Sequence, residues 1–328
     1  MGGRPGGILG NMTFPRSTKL SIVGAGSVGT SLAYAALIRN SAREIVLYDI
    51  ARAKAEAEVL DLAHGTPFTG SSSITGGDDI SLVAGSDVVV ITAGAKQEPG
   101  QTRLELAGVN VGILESMLPK LVELAPHAVF ILVTNPCDVL TAVAERITGL
   151  PPGRIFSSGT VLDSARLRWL VADIAQVAPQ SVHALIIGEH GDTEFPLWST
   201  ATIGQTPLSE WKDVAGQLLF PRERLETLTH DVVNAAYKVI AGKGATNYAI
   251  GLSGARIVEA VLQDERCILP VSSVLRAYRG IDGVALSVPS IVGAGGVQRV
   301  LDTHLDAREE GLLQHSAQAL HSSIEQFM

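Results

Sequence analysis

A chain of 328 residues is about two domains' worth at roughly 150 residues each. With 46% hydrophobic and 18% charged residues it has the apolar content for large cores, which excludes a mainly disordered chain, and no apolar run reaches the length of about 18 residues that spans a bilayer. The net charge of −8 argues against a broad grip on nucleic acid, and two cysteines, Cys137 and Cys267, are too few for a disulfide framework or a multi-cysteine metal centre, which fits a reducing, cytoplasmic compartment.

Residues 1–18, rich in Gly and Pro, lack the apolar core of a secretory signal and read as a disordered extension without chemistry. From Lys19 onward, strand-like and helical runs alternate. Lys19–Val23, Ile45–Tyr48, Asp87–Thr92 and Ala128–Thr134 have the length and apolarity of buried strands, and Val28–Ile38, Ala51–Ala63, Leu104–Leu124 and Val139–Ile147 carry helical spacing. This rhythm predicts an α/β fold with a parallel sheet covered by helices on both faces. Pro151-Pro152-Gly153 marks a boundary, giving domains over 19–153 and 154–328. Beyond it the pattern is mixed: Val182–Ile187 and Val284–Val288 read as strands, Arg222–Ile240 and Thr303–Phe327 as helices.

The first strand runs directly into Gly24-Ala25-Gly26-Ser27-Val28-Gly29. In this context Gly24 permits a tight turn, Gly26 lets a pyrophosphate approach the backbone, and Gly29 lets the helix pack on the strand. The helix N-terminus offers N–H groups and a positive dipole end to the phosphates. Asp49, at the end of the second strand, can accept hydrogen bonds from both ribose hydroxyls and would repel a 2′-phosphate, so NAD is favoured over NADP. A Gly-rich turn beside a strand-end Asp is the structural alternative.

In the second half, Gly188-Glu189-His190-Gly191-Asp192 follows an apolar run, so His190 stands at a strand end. Asp163 and Arg166, three apart, share a face if their segment is helical. A carboxylate beside a histidine fixes its tautomer and favours its charged form, and Arg166 can clamp a substrate carboxylate bidentately. Spacing alone leaves open that these are a structural histidine and an ordinary helix ion pair. No His-x-x-x-His spacing or Cys–His cluster supports a metal.

Six ordered motifs make the chain recognisable: the glycine loop, Asp61-Leu62-Ala63-His64-Gly65, Ala95 through Arg103, Thr134-Asn135-Pro136, Leu162 through Arg166, and Gly188 through Asp192. The chain from about Lys19 to Phe327 resembles the L-lactate and malate dehydrogenases. The resemblance implies a Rossmann-type doubly wound parallel sheet with a second, mixed α+β catalytic domain. It implies His190 as the acid/base, Asp163 as its orienting partner, Arg166 as the holder of the substrate carboxylate, and Arg103 as a mobile-loop cation that polarises the carbonyl. Asn135 would donate a hydrogen bond to substrate, with the Asn135–Pro136 bond cis, and Gln97–Thr102 would form a lid that excludes water. Contacts to NAD would extend from Gly24, Gly26, Gly29 and Asp49 to Ser27, Val28, Thr92, Ala93, Gly94, Asn110, Thr134 and Asn135.

Within that superfamily, the lid position held here by Gln97 reads the far end of the substrate. A neutral Gln97 leaves a second carboxylate without a counter-charge, which favours pyruvate and L-lactate over oxaloacetate and malate, and Thr246 matches the lactate-type pocket wall. Glu98 departs from the basic or amide residue expected beside it. Malate or another L-2-hydroxy acid as substrate, and an NAD-binding protein without catalysis, are the alternatives. The resemblance also implies a homotetramer. It further matches Arg168 and His183 to the pair that binds fructose 1,6-bisphosphate in bacterial lactate dehydrogenases. His183 is placed a strand's length, ~20 Å, from His190.

Overall fold

The computed structural model describes residues 17–96, 100 and 102–327, with the Arg103 side chain outside that description. The expectations for the N-terminal extension and for Gln97 and Glu98 in the lid therefore lie outside the described residues, as does the side-chain role expected of Arg103. The first half runs β1 (Lys19–Val23), α1 (Ser27–Arg39), β2 (Glu44–Tyr48), α2 (Arg52–Gly65), β3 (Ser73–Gly77), β4 (Val88–Ile91), α3 (Arg103–Leu124), β5 (Val129–Leu132), α4 (Cys137–Thr148) and β6 (Ile155–Ser157). Helix α5 (Val161–Ala175) leads to the short strands β7 (Val182–His183), β8 (Ile186–Ile187), β9 (Phe195–Pro196), β10 (Thr202–Ile203) and β11 (Thr206–Pro207). Then come α6 (Arg222–Val233), α7 (Ala235–Lys243), α8 (Tyr248–Leu262), β12 (Cys267–Leu269), β13 (Ser272–Val274), β14 (Ala285–Ser287), β15 (Ser290–Gly293), β16 (Gly296–Val300) and α9 (Ala307–Ile324).

The apolar strands are buried on both faces, and their alternate residues serve different layers. Leu20, Ile22, Val88, Val90, Val129 and Ile131 pack with α1 and α8 residues such as Leu32 and Ile257, whereas Val23, Val89, Ile91, Phe130 and Leu132 pack with Leu114, Leu118 and Leu140 of α3 and α4. Each such side chain contributes about 1.5–3 kcal/mol of burial. The strands form one eight-stranded sheet in the order β14-β13-β6-β5-β4-β1-β2-β3. From β3 to β6 all neighbours are parallel, the 3-2-1-4-5-6 order of a Rossmann sheet. Strands β13 and β14, from the second half, extend it antiparallel beyond β6. The order reverses between β1 and β4, so a crevice opens at their carboxyl ends.

Three expected elements differ. The run Val182–Ile187 is not one strand: β7 pairs with β10, while β8 pairs with β9 in another sheet. The Ala184 carbonyl between them is taken by Arg168 Nε at 3.0 Å, and the Leu185 carbonyl by the Leu197 N–H at 2.9 Å. The helix expected over Arg222–Ile240 breaks at Asn234, whose side-chain amide donates to the His230 carbonyl at 2.8 Å, and resumes as α7 to Lys243. The helix expected from Thr303 starts instead at Ala307, because Asp306 and Glu309 form a capping box. Among the described residues, no helix is long and apolar enough to cross a membrane.

Helix α8 lies against α1 and ties the halves together. Arg39 Nε and Nη2 donate to the two Glu259 carboxylate oxygens at 2.7 and 2.5 Å, and Ser41 Oγ donates to the same group at 2.8 Å. Glu259→Ala should lower the unfolding free energy by about 2 kcal/mol, below the ~3–5 kcal/mol of a fully buried pair because the Arg39 side chain is 40% exposed. Urea denaturation of the variant beside an Arg39→Met/Glu259→Met double variant checks this; the double variant should recover part of the loss.

Candidate active site

The crevice at the sheet's switch point is built from the glycine loop. Gly24 has φ +108°, and a Cβ there would lie 2.7 Å from the Ala93 nitrogen. A Cβ on Gly29 would lie 1.9 Å from the Gly24 carbonyl oxygen, so only Gly lets α1 start so close to β1. At Gly26, by contrast, nothing stands within 4 Å of that position, and no side chain caps α1. Open space thus faces a helix N-terminus, which suits a phosphate. Asp49 braces this loop: its Oδ2 accepts from the Ala25 N–H at 2.7 Å and its Oδ1 from the Ala51 N–H at 2.8 Å. Ser27 and Val28 open α1 beside Gly26 and are half-buried.

The end of β4 forms the other wall. Thr92 Oγ1 donates to the carbonyls of Val23 and Gly24 at 3.1 and 3.0 Å, joining it to the glycine loop. Thr134 Oγ1 donates to the Ala93 carbonyl at 2.7 Å. A Cβ on Gly94 would sit 2.3 Å from Thr134 Cγ2. Asn110, buried on α3, accepts from the Ala95 N–H at 2.7 Å and donates to the Asn135 carbonyl at 2.8 Å. The Asn135–Pro136 bond is cis. The residues present along this crevice fit a dinucleotide.

Deeper lies a cavity of about 150 Å³ lined by Asn135, Asp163, Arg166, His190, Glu194 and Tyr237, among others. Helix α5 places Asp163 and Arg166 one turn apart, and Arg166 Nη1 donates to Asp163 Oδ1. The other oxygen, Oδ2, lies 2.7 Å from His190 Nδ1. With Nδ1 so held, Nε2 is the ring nitrogen open to a substrate. Burial opposes charge on both members of the pair. Their mutual attraction prevails, raising His190 well above the ordinary imidazole range and holding Asp163 below the usual carboxylate range with help from Arg166. Asp163, His190 and Glu194 each bring a possible ligand atom within 4.8 Å of one another, but Arg166 on the same carboxylate opposes a further cation.

Thr246 is not brought to this cavity. It lies in the loop between α7 and α8, which Asn247 draws toward α1 by donating to Ser31 Oγ at 3.0 Å. Arg103 opens α3, where Thr102 and Glu105 form a capping box. His183 is exposed at the end of β7, and Arg168 is half-buried, with burial lowering its pKa. Their surroundings adjoin through the Arg168 bond to Ala184.

Sequence reasoning misses two buried acids here. Asp138, in the first turn of α4, accepts from the His190 N–H at 2.7 Å and is pushed up to about 6 by burial. Glu194 lies 3.7 Å from His190 Nδ1. Its spacing of four residues from His190 would signal contact only in a helix, and this segment is a loop.

A nucleotide crevice beside a His–Asp–Arg cavity defines a two-domain, NAD-dependent oxidoreductase. Residues 18–157 match the family model of the lactate/malate dehydrogenase NAD-binding domain, and residues 160–328 match that of the lactate/malate dehydrogenase alpha/beta C-terminal domain. The chain belongs to the lactate/malate dehydrogenase family. It is 50% identical over 312 residues to an L-lactate dehydrogenase of Bifidobacterium animalis subsp. lactis, covering 95% of this chain and 98% of the relative. It is 47% identical over 311 residues to an L-lactate dehydrogenase of Synechococcus sp., covering 94% and 98%. The crystal structure of the minor L-lactate dehydrogenase of Enterococcus mundtii superimposes with a TM-score of 0.91 at 37% identity, over 95% of this chain and 99% of that one.

Because a Gly29 Cβ would collide with the Gly24 carbonyl, Gly29→Ala should displace the loop from α1 and weaken NADH binding by at least about tenfold. Titration of NADH fluorescence checks this.

Proposed function

We propose that the protein is an NAD-dependent L-lactate dehydrogenase: pyruvate, NADH and a proton give L-lactate and NAD, reversibly. One observation carries the reading of the site: a single buried carboxylate, Asp163, bonds both the ring nitrogen of His190 and the guanidinium of Arg166 at the wall of one small cavity. The L-lactate dehydrogenase names of relatives at 50% and 47% identity support the substrate.

When bound, the nicotinamide supplies or accepts the hydride. Arg166 holds the substrate carboxylate through guanidinium donors beyond the one given to Asp163. His190, protonated and oriented by Asp163, gives its Nε2 proton to the carbonyl oxygen as that atom gains charge, and takes it back in lactate oxidation. Asn135 donates to the substrate oxygen. Arg103, at the start of α3, brings a permanent positive charge to the same oxygen. Gln97 reads the substrate's far end, excluding a second carboxylate. We assign the NAD contacts to Gly24, Gly26, Ser27, Val28, Gly29, Asp49, Thr92, Ala93, Gly94, Asn110, Thr134 and Asn135, and domain limits to 19–153 and 154–328. The protein works in the cytoplasm, at the fermentative end of glycolysis.

The test compares NADH oxidation with pyruvate and with oxaloacetate. Pyruvate should be the better substrate. His190→Asn should retain NADH binding and lose about 10³-fold in kcat. A preference for oxaloacetate makes the protein a malate dehydrogenase instead, and NADH binding without turnover of any 2-oxo acid removes the catalytic reading altogether.

The protein is a homotetramer in this proposal, which the exposed Phe68 and Tyr248, 90% and 71% accessible, support. Fructose 1,6-bisphosphate activates it at a subunit interface through Arg168 and His183, supported by the Arg168 bond to the residue following His183. Two such cation pairs facing across an axis repel until a bisphosphate joins them. Pyruvate saturation with and without the effector should show a KM lowered about 5–150-fold, and no such effect in Arg168→Gln. Indifference of the unmodified enzyme to the bisphosphate refutes this regulation.

A further inference from the structure

Two carboxyl groups, not one, face Nδ1 of His190. Asp163 Oδ2 is at 2.7 Å and Glu194 Oε2 at 3.7 Å. The Glu194 side chain is only 3% exposed, and Oε2 has no hydrogen-bond partner among the described residues. Its position comes from the chain on either side. Before it, Thr193 Oγ1 donates to Glu189 Oε2 at 2.6 Å and lies 2.9 Å from Ser316 Oγ of α9. After it, Phe195 and Pro196 pair with β8. The backbone therefore delivers a buried carboxyl to the imidazole without solvating it, an arrangement that costs stability unless a cation stands opposite.

The charged and titratable groups around this point come from every packed element. Helix α5 brings Asp163 and Arg166, α4 brings Cys137 and Asp138, α7 brings Tyr237, and the loop itself brings Glu189, His190, Asp192 and Glu194. Asp163 neutralises Arg166, to which it is bonded. The imidazolium of His190 shares that carboxylate with Arg166, and Glu194 is the second acid facing its Nδ1.

We propose that Glu194 is a positioning residue for the reaction, a second counter-charge at Nδ1 that keeps His190 protonated, and so able to take up pyruvate, to higher pH. This rests on the L-lactate dehydrogenase reading above. Burial and repulsion from Asp163 push the Glu194 carboxyl up to about 7. Below that value it is neutral and adds nothing to oppose an anionic substrate. Above it, the new carboxylate stabilises the proton on His190 over the range in which the imidazole would otherwise lose it. Asp163 alone would leave this range shorter.

The experiment is the pH profile of pyruvate KM and kcat for the unmodified enzyme, Glu194→Gln and Glu194→Asp, with NADH binding by fluorescence as the check on folding. For the unmodified enzyme, KM should be flat in acid and rise as His190 deprotonates. In Glu194→Gln the midpoint of that rise should fall by about one pH unit, with KM at pH 6 within about twofold and NADH affinity unchanged. Glu194→Asp, whose carboxylate is one methylene further away, should shift less. An unmoved midpoint in a Gln variant that binds NADH normally overturns the proposal, as does a pH-independent loss of kcat, which marks a packing role only. Should Glu194→Gln fail to bind NADH, the Asp variant decides, an unmoved midpoint again overturning it. An unmodified enzyme that does not reduce pyruvate overturns the L-lactate dehydrogenase reading instead.

Discussion

A carboxylate that is 1% exposed would ordinarily take up a proton rather than hold a charge, and Asp163 is such a carboxylate. It stays ionised because cationic groups meet its two oxygens, Arg166 from one turn along α5 and His190 from the loop after β8. Removal of either would leave charge unmatched in a buried place. The same bonds decide which nitrogen of His190 is free and where the Arg166 guanidinium stands. Orientation of the His190 ring, electrostatics of the pocket and placement of the Arg166 guanidinium thus follow from the burial of one side chain.

The nucleotide crevice is joined to this pair by hydrogen bonds. Asn110 spans from the Ala95 N–H after β4 to the Asn135 carbonyl after β5. Pro136 then caps the start of α4, and Asp138 in its first turn holds the His190 N–H. Asp49 and Thr92 brace the glycine loop on the other side of the same switch point. A shift of β4 against β5 would accordingly be felt at both the loop and the imidazole.

Legibility in the sequence tracks how local each constraint is. The strands β1, β2, β4 and β5 are readable because burial on both faces makes them continuous apolar runs, and the glycine loop because its spacing has one steric solution. His190, Asp163 and Arg166 are nameable, but their contact requires α5 and the loop after β8 to meet across 27 residues, which spacing alone does not encode. Val182–Ile187 reads as a single strand because nothing in its composition shows that Arg168 takes the Ala184 carbonyl. The break at Asn234 and the start of α9 at Asp306 are decided by single polar side chains that override helical periodicity. Glu194 and Asp138 escape sequence reasoning altogether, since their importance lies in burial, and a carboxylate in a sequence reads as surface.

The loop that carries His190 holds little information on its own placement. Gly188 and Gly191 adopt φ of +95° and +157°, so the chain turns there without side chains to guide it. The turn is held from outside: Gly188 exchanges backbone hydrogen bonds with Ser287 of β14, Asp138 of α4 holds the His190 N–H, and Ser316 of α9 accepts from the Glu189 N–H at 2.7 Å. A Cβ on Gly188 would meet Ser316 Oγ at 2.9 Å, so α9 approaches as closely as glycine allows. One of these anchors lies in the first half of the chain and two near its end. The placement of His190 thus depends on β14 and α9 as well as on α4. The geometry of His190 is therefore a product of the complete fold, and the C-terminal helix helps to set the shape of the cavity as well as the scaffold.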